Sequence, residues 1–209
     1  MTQPLKLFVT GIDTGIGKTV TSAILTHYFK ADYWKPIQSG DLHESDSMKI
    51  QQWNEHVTIH RERFSLQLPA SPHESAAKEN VNMQLSDFTL PDTANNLIVE
   101  GAGGLFVPIN SSTYMIDLIQ HLKIPVALVT KNYLGCINHT MLSIEALRTR
   151  DIPIDYLVLN GAFNPYSLEA IKNFIDRDTQ LIHIPALEEI TKEAVMLTAL
   201  ELASDSSQK

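Results

Sequence analysis

The chain has 209 residues, is 44% hydrophobic and carries 16 Lys and Arg against 24 Asp and Glu, a formal net charge of -8. That length predicts one domain over residues 1 to 209, and the acidic balance, with no Lys/Arg run, argues against nucleic acid or anionic lipid as a partner. No apolar run approaches the roughly 18 residues of a membrane span, no leader pattern opens the chain and Cys136 is its single cysteine, so the expectation is a soluble cytoplasmic protein without an internal disulfide or a Cys-rich zinc site.

The first apolar run, LKLFVT (5 to 10), reads as a strand and leads through GIDTGIGKT into a helix over 18 to 30. Glycines let the backbone take positive φ and approach an anion, so N–H groups backed by a helix N-terminus can point at phosphate oxygens. Lys18 would neutralise the β- and γ-phosphates and the Thr19 hydroxyl would join a magnesium shell. Ile12 stands where GxxxxGK[ST] has its first glycine, with Gly11 one position earlier. The alternative is an ordinary strand-to-helix turn, but the buried strand before it and the helix after it favour a nucleoside triphosphate site.

ADYWKP (31 to 36) is a further strand, and Pro36 biases Lys35 toward extended backbone at its end. Lys35 is then either a surface lysine or a second cation beside Lys18, an arrangement that suits an acidic acceptor next to the γ-phosphate. Residues 42 to 93 are polar and punctuated by prolines, with helices near 45 to 54 and 73 to 80. NNLIVE (95 to 100) ends in Glu100 and runs into Gly101, Ala102, Gly103 and Gly104. A carboxylate there either binds magnesium, directly or through water, or is a solvated acid before a flexible turn.

A helix near 114 to 122, the strand IPVALVT (124 to 130) and a helix over 136 to 150 follow. The N–H groups at the start of that helix, after Gly135 and with Asn138, either bind a second anion or form a plain helix start. Cys136 has the apolar neighbours of a packed residue and no base beside it for nucleophilic chemistry. The strand IDYLVLN (154 to 160), a helix over 166 to 177, the strand QLIHIP (180 to 185), a helix over 189 to 203 and a frayed tail from Ser204 to Lys209 complete the chain. Continuous apolar runs are strands covered on both faces. Their alternation with helices predicts an α/β fold of the P-loop NTPase type, a mostly parallel sheet with helices on both faces. His56 and His60 share a helical spacing, but no metal-binding set accompanies them.

The segments FVTGIDTGIGKT, WKPIQSG, ESD, SPH, VEGAGG, LGCINH and VLN together resemble the dethiobiotin synthetase family over nearly the whole chain. The longer phosphate loop is that family's form. The resemblance implies that 7,8-diaminononanoate takes up CO2 as a carbamate, which attacks the γ-phosphate of ATP before the second amine closes a cyclic urea. It implies Gly15, Ile16, Gly17, Lys18, Thr19 and Val20 around the nucleotide phosphates, with Gly101, Ala102 and Gly103 also at ATP. Thr19, Asp46 and Glu100 would hold Mg2+. Lys35 and Lys18 would be catalytic, with Lys35 and Ser39 at the carbamate and Thr14 also at the substrate. Asn160, Pro185, Ala186 and Leu187 would meet the adenine, and Ser71, Pro72 and His73 would line the substrate channel. Gly135, Cys136, Ile137 and Asn138 would bind the remote substrate carboxylate across a homodimer interface. Two rival readings of the same fold are a partition-type ATPase switch and a small-molecule kinase. Neither the extra loop lysine of the first nor the Arg-rich lid of the second is visible.

Overall fold

A computed structural model describes residues 3 to 206. In chain order it contains β1 (Lys6–Gly11), α1 (Lys18–Phe29), β2 (Ala31–Trp34), β3 (Ile37–Ser39), α2 (Asp46–Trp53), β4 (Ile59–His60), β5 (Phe64–Leu66) and α3 (Pro72–Lys78). A short 3-10 turn (Leu85–Asp87), β6 (Asn96–Gly104), α4 (Met115–Leu122), β7 (Val126–Lys131), α5 (Cys136–Thr149), β8 (Ile154–Asn160), α6 (Pro165–Lys172), β9 (Gln180–Ile184) and α7 (Lys192–Ser206) follow. Seven strands form one parallel sheet in the order β4-β2-β6-β1-β7-β8-β9, and β3 pairs with β5 in a separate parallel ribbon.

Both faces of the sheet are covered, which is why its central strands are apolar without alternation. Leu7 and Val9 of β1 and Ile98 of β6 pack against Ala23, Ile24 and Leu25 of α1, Ile50 of α2 and Val195 of α7. Phe8, Leu97 and Val99, on the opposite face, pack against Met115 and Ile116 of α4, Ile144 and Leu147 of α5 and Ile171 of α6. With β1 central and its neighbours parallel, the loops beyond the carboxyl ends of β1, β2 and β6 meet at one edge of the sheet.

Several expected elements change on folding. The second strand stops at Trp34 rather than at residue 36. Pro36 has no N–H for a ladder; its carbonyl instead accepts from the backbone N–H groups of Arg63 and Phe64. The stretch 42 to 93 contains the strands β4 and β5, of two and three residues, too short for any period to register. β6 continues past Glu100 to Gly104, and its register with β1 shifts between Val9 and Gly11. α6 ends at Lys172, five residues short of the expected 177, where Arg148 captures the Phe174 carbonyl at 2.6 Å and the Asp176 carboxylate at 2.8 Å. α7 starts at Lys192 and runs to Ser206, into the tail read as frayed; residues 207 to 209 lie outside the described ones. No helix among the described residues is long and apolar enough to cross a membrane.

Candidate active site

The phosphate loop joins β1 to α1. Gly17 occupies the N-cap of α1 at φ 91°, and no side chain caps the helix, so its first N–H groups keep the orphan character that makes a helix start attractive to anions. Gly15, at φ 71°, has open space around it. Gly17 is tighter, because a Cβ there would overlap the Asn160 side-chain amide, which donates to the Ile16 carbonyl at 2.7 Å. Gly17→Ala combines that overlap with left-handed backbone costing about 1–3 kcal/mol. The variant is expected to lower the thermal midpoint by roughly 2 to 12 °C and to lose the stabilisation that added ATP gives the parent. A melting curve matching the parent's, with and without nucleotide, would show that the loop tolerates a side chain there.

Lys18 lies back over the loop, its Nζ donating to the Asp13 carbonyl at 2.9 Å. Lys18 is 8% exposed, and burial, aided by the Lys35 charge and only partly offset by Glu100, lowers its pKa to about 8. Lys35, also buried, donates to Asp46 Oδ2 at 2.6 Å, Glu100 Oε1 at 3.0 Å and the Gly101 carbonyl at 3.2 Å. Burial opposes its charge too, but the Glu100 and Asp46 carboxylates outweigh it and hold this ammonium above the ordinary lysine range. Burial likewise opposes ionisation of Asp46, yet Lys35 and the Thr19 hydroxyl keep its carboxyl below the usual range. Neighbouring lysines are thus driven in opposite directions by where the carboxylates stand.

The Thr19 hydroxyl lies 3.0 Å from Asp46 Oδ1 and 2.9 Å from Glu100 Oε1, and donates its single proton to one of them at a time. Three hard oxygen donors from α1, α2 and β6 therefore converge on one point. Magnesium takes one or two carboxylates and keeps several waters, so the donor set fits it.

These groups line a cleft of about 830 Å³ that also includes Thr14, Gly15, Val20, Ser39, Ala102 and Gly103. Lys35 therefore turns into the crevice that Lys18 occupies. Ser39 brings a buried Oγ with no hydrogen-bond partner, an unmet polar group where an acidic acceptor would lie. Ser71 and Pro72 line the cleft, whereas exposed His73 turns its Nδ1 to the Ser71 hydroxyl at 2.9 Å.

Other expected residues stand apart from this cleft. Asn160 grips the phosphate loop from the end of β8. Pro185 follows β9, and Ala186 and Leu187 border a separate, open depression with Glu188 and Thr191; Ile190 of the same loop reaches the cleft rim. Gly135 takes φ 105° to start α5, Ile137 is half-buried and Asn138 exposed. The Cys136 N–H is taken by the Tyr133 carbonyl at 3.0 Å and its buried thiol faces Asn132.

Two supporting residues escape sequence reading. Gln38, 6% exposed, accepts from the Asp46 N–H at 3.2 Å and donates to the Gly40 carbonyl at 3.0 Å, fixing the start of α2. Tyr33, fully buried in β2, donates its hydroxyl to Glu100 Oε2 at 2.9 Å; burial and then the Glu100 charge push its phenol pKa well above the usual value. A glutamine inside WKPIQSG and a strand tyrosine two residues before Lys35 were the available signals.

Residues 5–194 match the family model described as AAA domain. The chain is 43% identical over 200 residues to the ATP-dependent dethiobiotin synthetase BioD of Cytophaga hutchinsonii, covering 94% of this chain and 96% of that one. It is 44% identical over 168 residues to the protein of the same name from Paramagnetospirillum magneticum, covering 80% of this chain and 82% of the relative. A third relative, the biotin biosynthesis bifunctional protein BioCD of Bordetella avium, is 42% identical across 96% of this chain; the chain spans 43% of that longer protein. Among solved structures, the MinC:MinD cell division complex of Aquifex aeolicus matches with a TM-score of 0.53 at 14% identity, covering 96% of each chain. A ParA family ATPase from Chlorobium tepidum gives 0.52 at 13% identity over 100% of this chain and 94% of that one. At those identities the structural likeness speaks for the P-loop NTPase fold alone.

Proposed function

This chain belongs to the ATP-dependent dethiobiotin synthetase family, and from that premise we propose that it carboxylates 7,8-diaminononanoate with CO2 and closes the product to dethiobiotin at the expense of ATP. As a member it is an ATP-dependent ligase of biotin biosynthesis. The observation that carries the finer reading is the meeting of Lys18 and Lys35 in one cleft with Thr19, Asp46 and Glu100.

A neutral amine of the substrate forms an N–C bond to CO2 and loses a proton, giving a carbamate. One carbamate oxygen attacks the γ-phosphorus as the bond to the β-γ bridging oxygen breaks and ADP leaves. The second amine then attacks the carbamoyl carbon and gives up a proton as the C–O bond to phosphate breaks, releasing inorganic phosphate and the cyclic urea. The residues contribute position and charge rather than a strong base. Lys35 and the Ser39 hydroxyl hold the carbamate, and Lys18, from the loop, spans the carbamate and the γ-phosphate. Thr19, Asp46 and Glu100 would hold Mg2+, which would supply charge neutralisation to the triphosphate. The loop from Gly15 to Val20 binds the phosphates, while Asn160 and the segment from Pro185 to Leu187 serve the adenine. In a homodimer, the start of α5 at residues 135 to 138 would receive the substrate's distal carboxylate from the partner; fully exposed Leu134 and exposed Leu142 supply apolar surface for such a contact. Incubation with ATP, Mg2+, bicarbonate and 7,8-diaminononanoate should yield dethiobiotin by mass spectrometry, and no product above a heat-killed control would refute the reading.

The Lys18 pKa adds a pH dependence. In the free protein it is about 8, and a bound triphosphate, being anionic, raises it. Below pH 8 the free protein already carries the proton; above it, binding must take one up. Above about pH 7, where the terminal phosphate of ATP is ionised, ATP affinity should therefore be flat up to about pH 8 and then fall by up to roughly tenfold per pH unit until the pKa of the complex is reached. Calorimetric titrations across that range test this, and Lys18→Arg, whose charge persists, should flatten the curve. An affinity equally constant in the parent would contradict it.

A further inference from the structure

Glu100 offers its two carboxylate oxygens to different surroundings. Oε1 faces the cleft, 2.9 Å from the Thr19 hydroxyl and 3.0 Å from Lys35 Nζ. Oε2 faces inward and receives the Tyr33 hydroxyl at 2.9 Å. The strand register explains the meeting: Tyr33 pairs with Ile98, and Glu100, two residues further along β6, points to the same face, within diagonal reach of an aromatic ring. Tyr33 is fully buried, Glu100 is 1% exposed, and the phenol is not among the groups lining the cleft. It therefore acts on Glu100 rather than on anything bound in front of it.

The terminal torsion of a glutamate is broad and roughly two-fold, so packing alone does not choose which oxygen a buried carboxylate presents or at what angle. A donor fixed in a strand does choose. Outer-shell hydrogen bonds of this kind set both the orientation and the basicity of a metal-binding carboxylate.

We propose that Tyr33 is a positioning residue for the reaction, holding Glu100 so that Oε1 is presented beside Thr19 and Asp46 as a magnesium-binding oxygen. This rests on the reading of Glu100 as a ligand of the nucleotide's metal. Tyr33→Phe removes one oxygen and keeps the ring. The variant should bind ATP without metal within about twofold of the parent, while its affinity for ATP with Mg2+ weakens by about tenfold. Its magnesium half-saturation should rise in proportion, and in a Glu100→Gln background Tyr33→Phe should add nothing. A purely structural role would shift both affinities together and would persist in that background, which overturns the proposal, as does an unchanged magnesium half-saturation. If Glu100→Gln itself leaves magnesium dependence intact, the ligand assignment has failed; if Glu100→Gln responds and Tyr33→Phe does not, only the positioning role has. Should the phenylalanine variant fail to fold, tyrosine isotope-labelled at position 33 alone provides the readout in the intact protein. Its ring-carbon NMR resonance should move when Mg2+ is added with ATP and stay still in Glu100→Gln, and a resonance indifferent to metal in the parent overturns the proposal.

Discussion

Lys35→Ala should retain ATP binding within a few-fold and lose about a hundred- to a thousandfold in dethiobiotin formation, the usual effect of removing one preorganised charge from a developing anion. Lys18 and the loop glycines stay in place, so nucleotide titration separates the two effects. Stability changes as well. Lys35 Nζ bridges half-buried Asp46 and buried Glu100 at 2.6 and 3.0 Å, and leaving a buried carboxylate without its cation costs up to about 3–5 kcal/mol in comparable cases. A divalent ion satisfies the same pair, so added magnesium should raise the melting temperature of Lys35→Ala more than that of the parent. Near-parental turnover by the variant would remove Lys35 from the chemistry, whatever happened to its stability.

Glu100→Gln is expected to raise the magnesium concentration needed for half-maximal ATP turnover by at least about tenfold and to lower kcat/KM for the metal–nucleotide complex by roughly a hundredfold. The amide keeps the side chain's shape but puts either a neutral oxygen or an N–H group before the Lys35 ammonium and the Thr19 hydroxyl, where Oε1 now lies 3.0 and 2.9 Å from them. Metal-free ATP binding should change little, because Glu100 Oε1 faces the Thr19 hydroxyl and the Lys35 ammonium rather than the loop amides. A steady-state magnesium titration decides it: superimposable curves for variant and parent would move metal binding elsewhere.

The sheet was legible because its strands are buried on both faces. Leu7, Phe8 and Val9 serve alternate sides of β1, yet all are apolar, and such a run announces itself without any period. The phosphate loop and Glu100 were legible because each follows or ends one of those runs, whereas ADYW before Lys35 is not continuously apolar and left that lysine open between surface and site. β4 and β5 were not, since two or three residues paired along one edge carry no pattern of their own. The early end of α6 depends on Arg148, more than twenty residues away in sequence, capturing the Phe174 carbonyl, a tertiary contact that local propensity does not contain. Gln38 and Tyr33 were hidden for a related reason: the Gln38 contact with Asp46 spans eight residues and the Tyr33 contact with Glu100 spans 67, so their roles exist only once the sheet has formed.

The buried Cys136 gives the molecule a clock. The residue is 2% exposed, and the chain has no other cysteine. A disulfide-exchange reagent added in native buffer can react only when the first turn of α5 loosens, so the labelling rate counts those openings. If a ligand engages the start of that helix, labelling should slow as ligand is added; if it does not, the tempo stays the same.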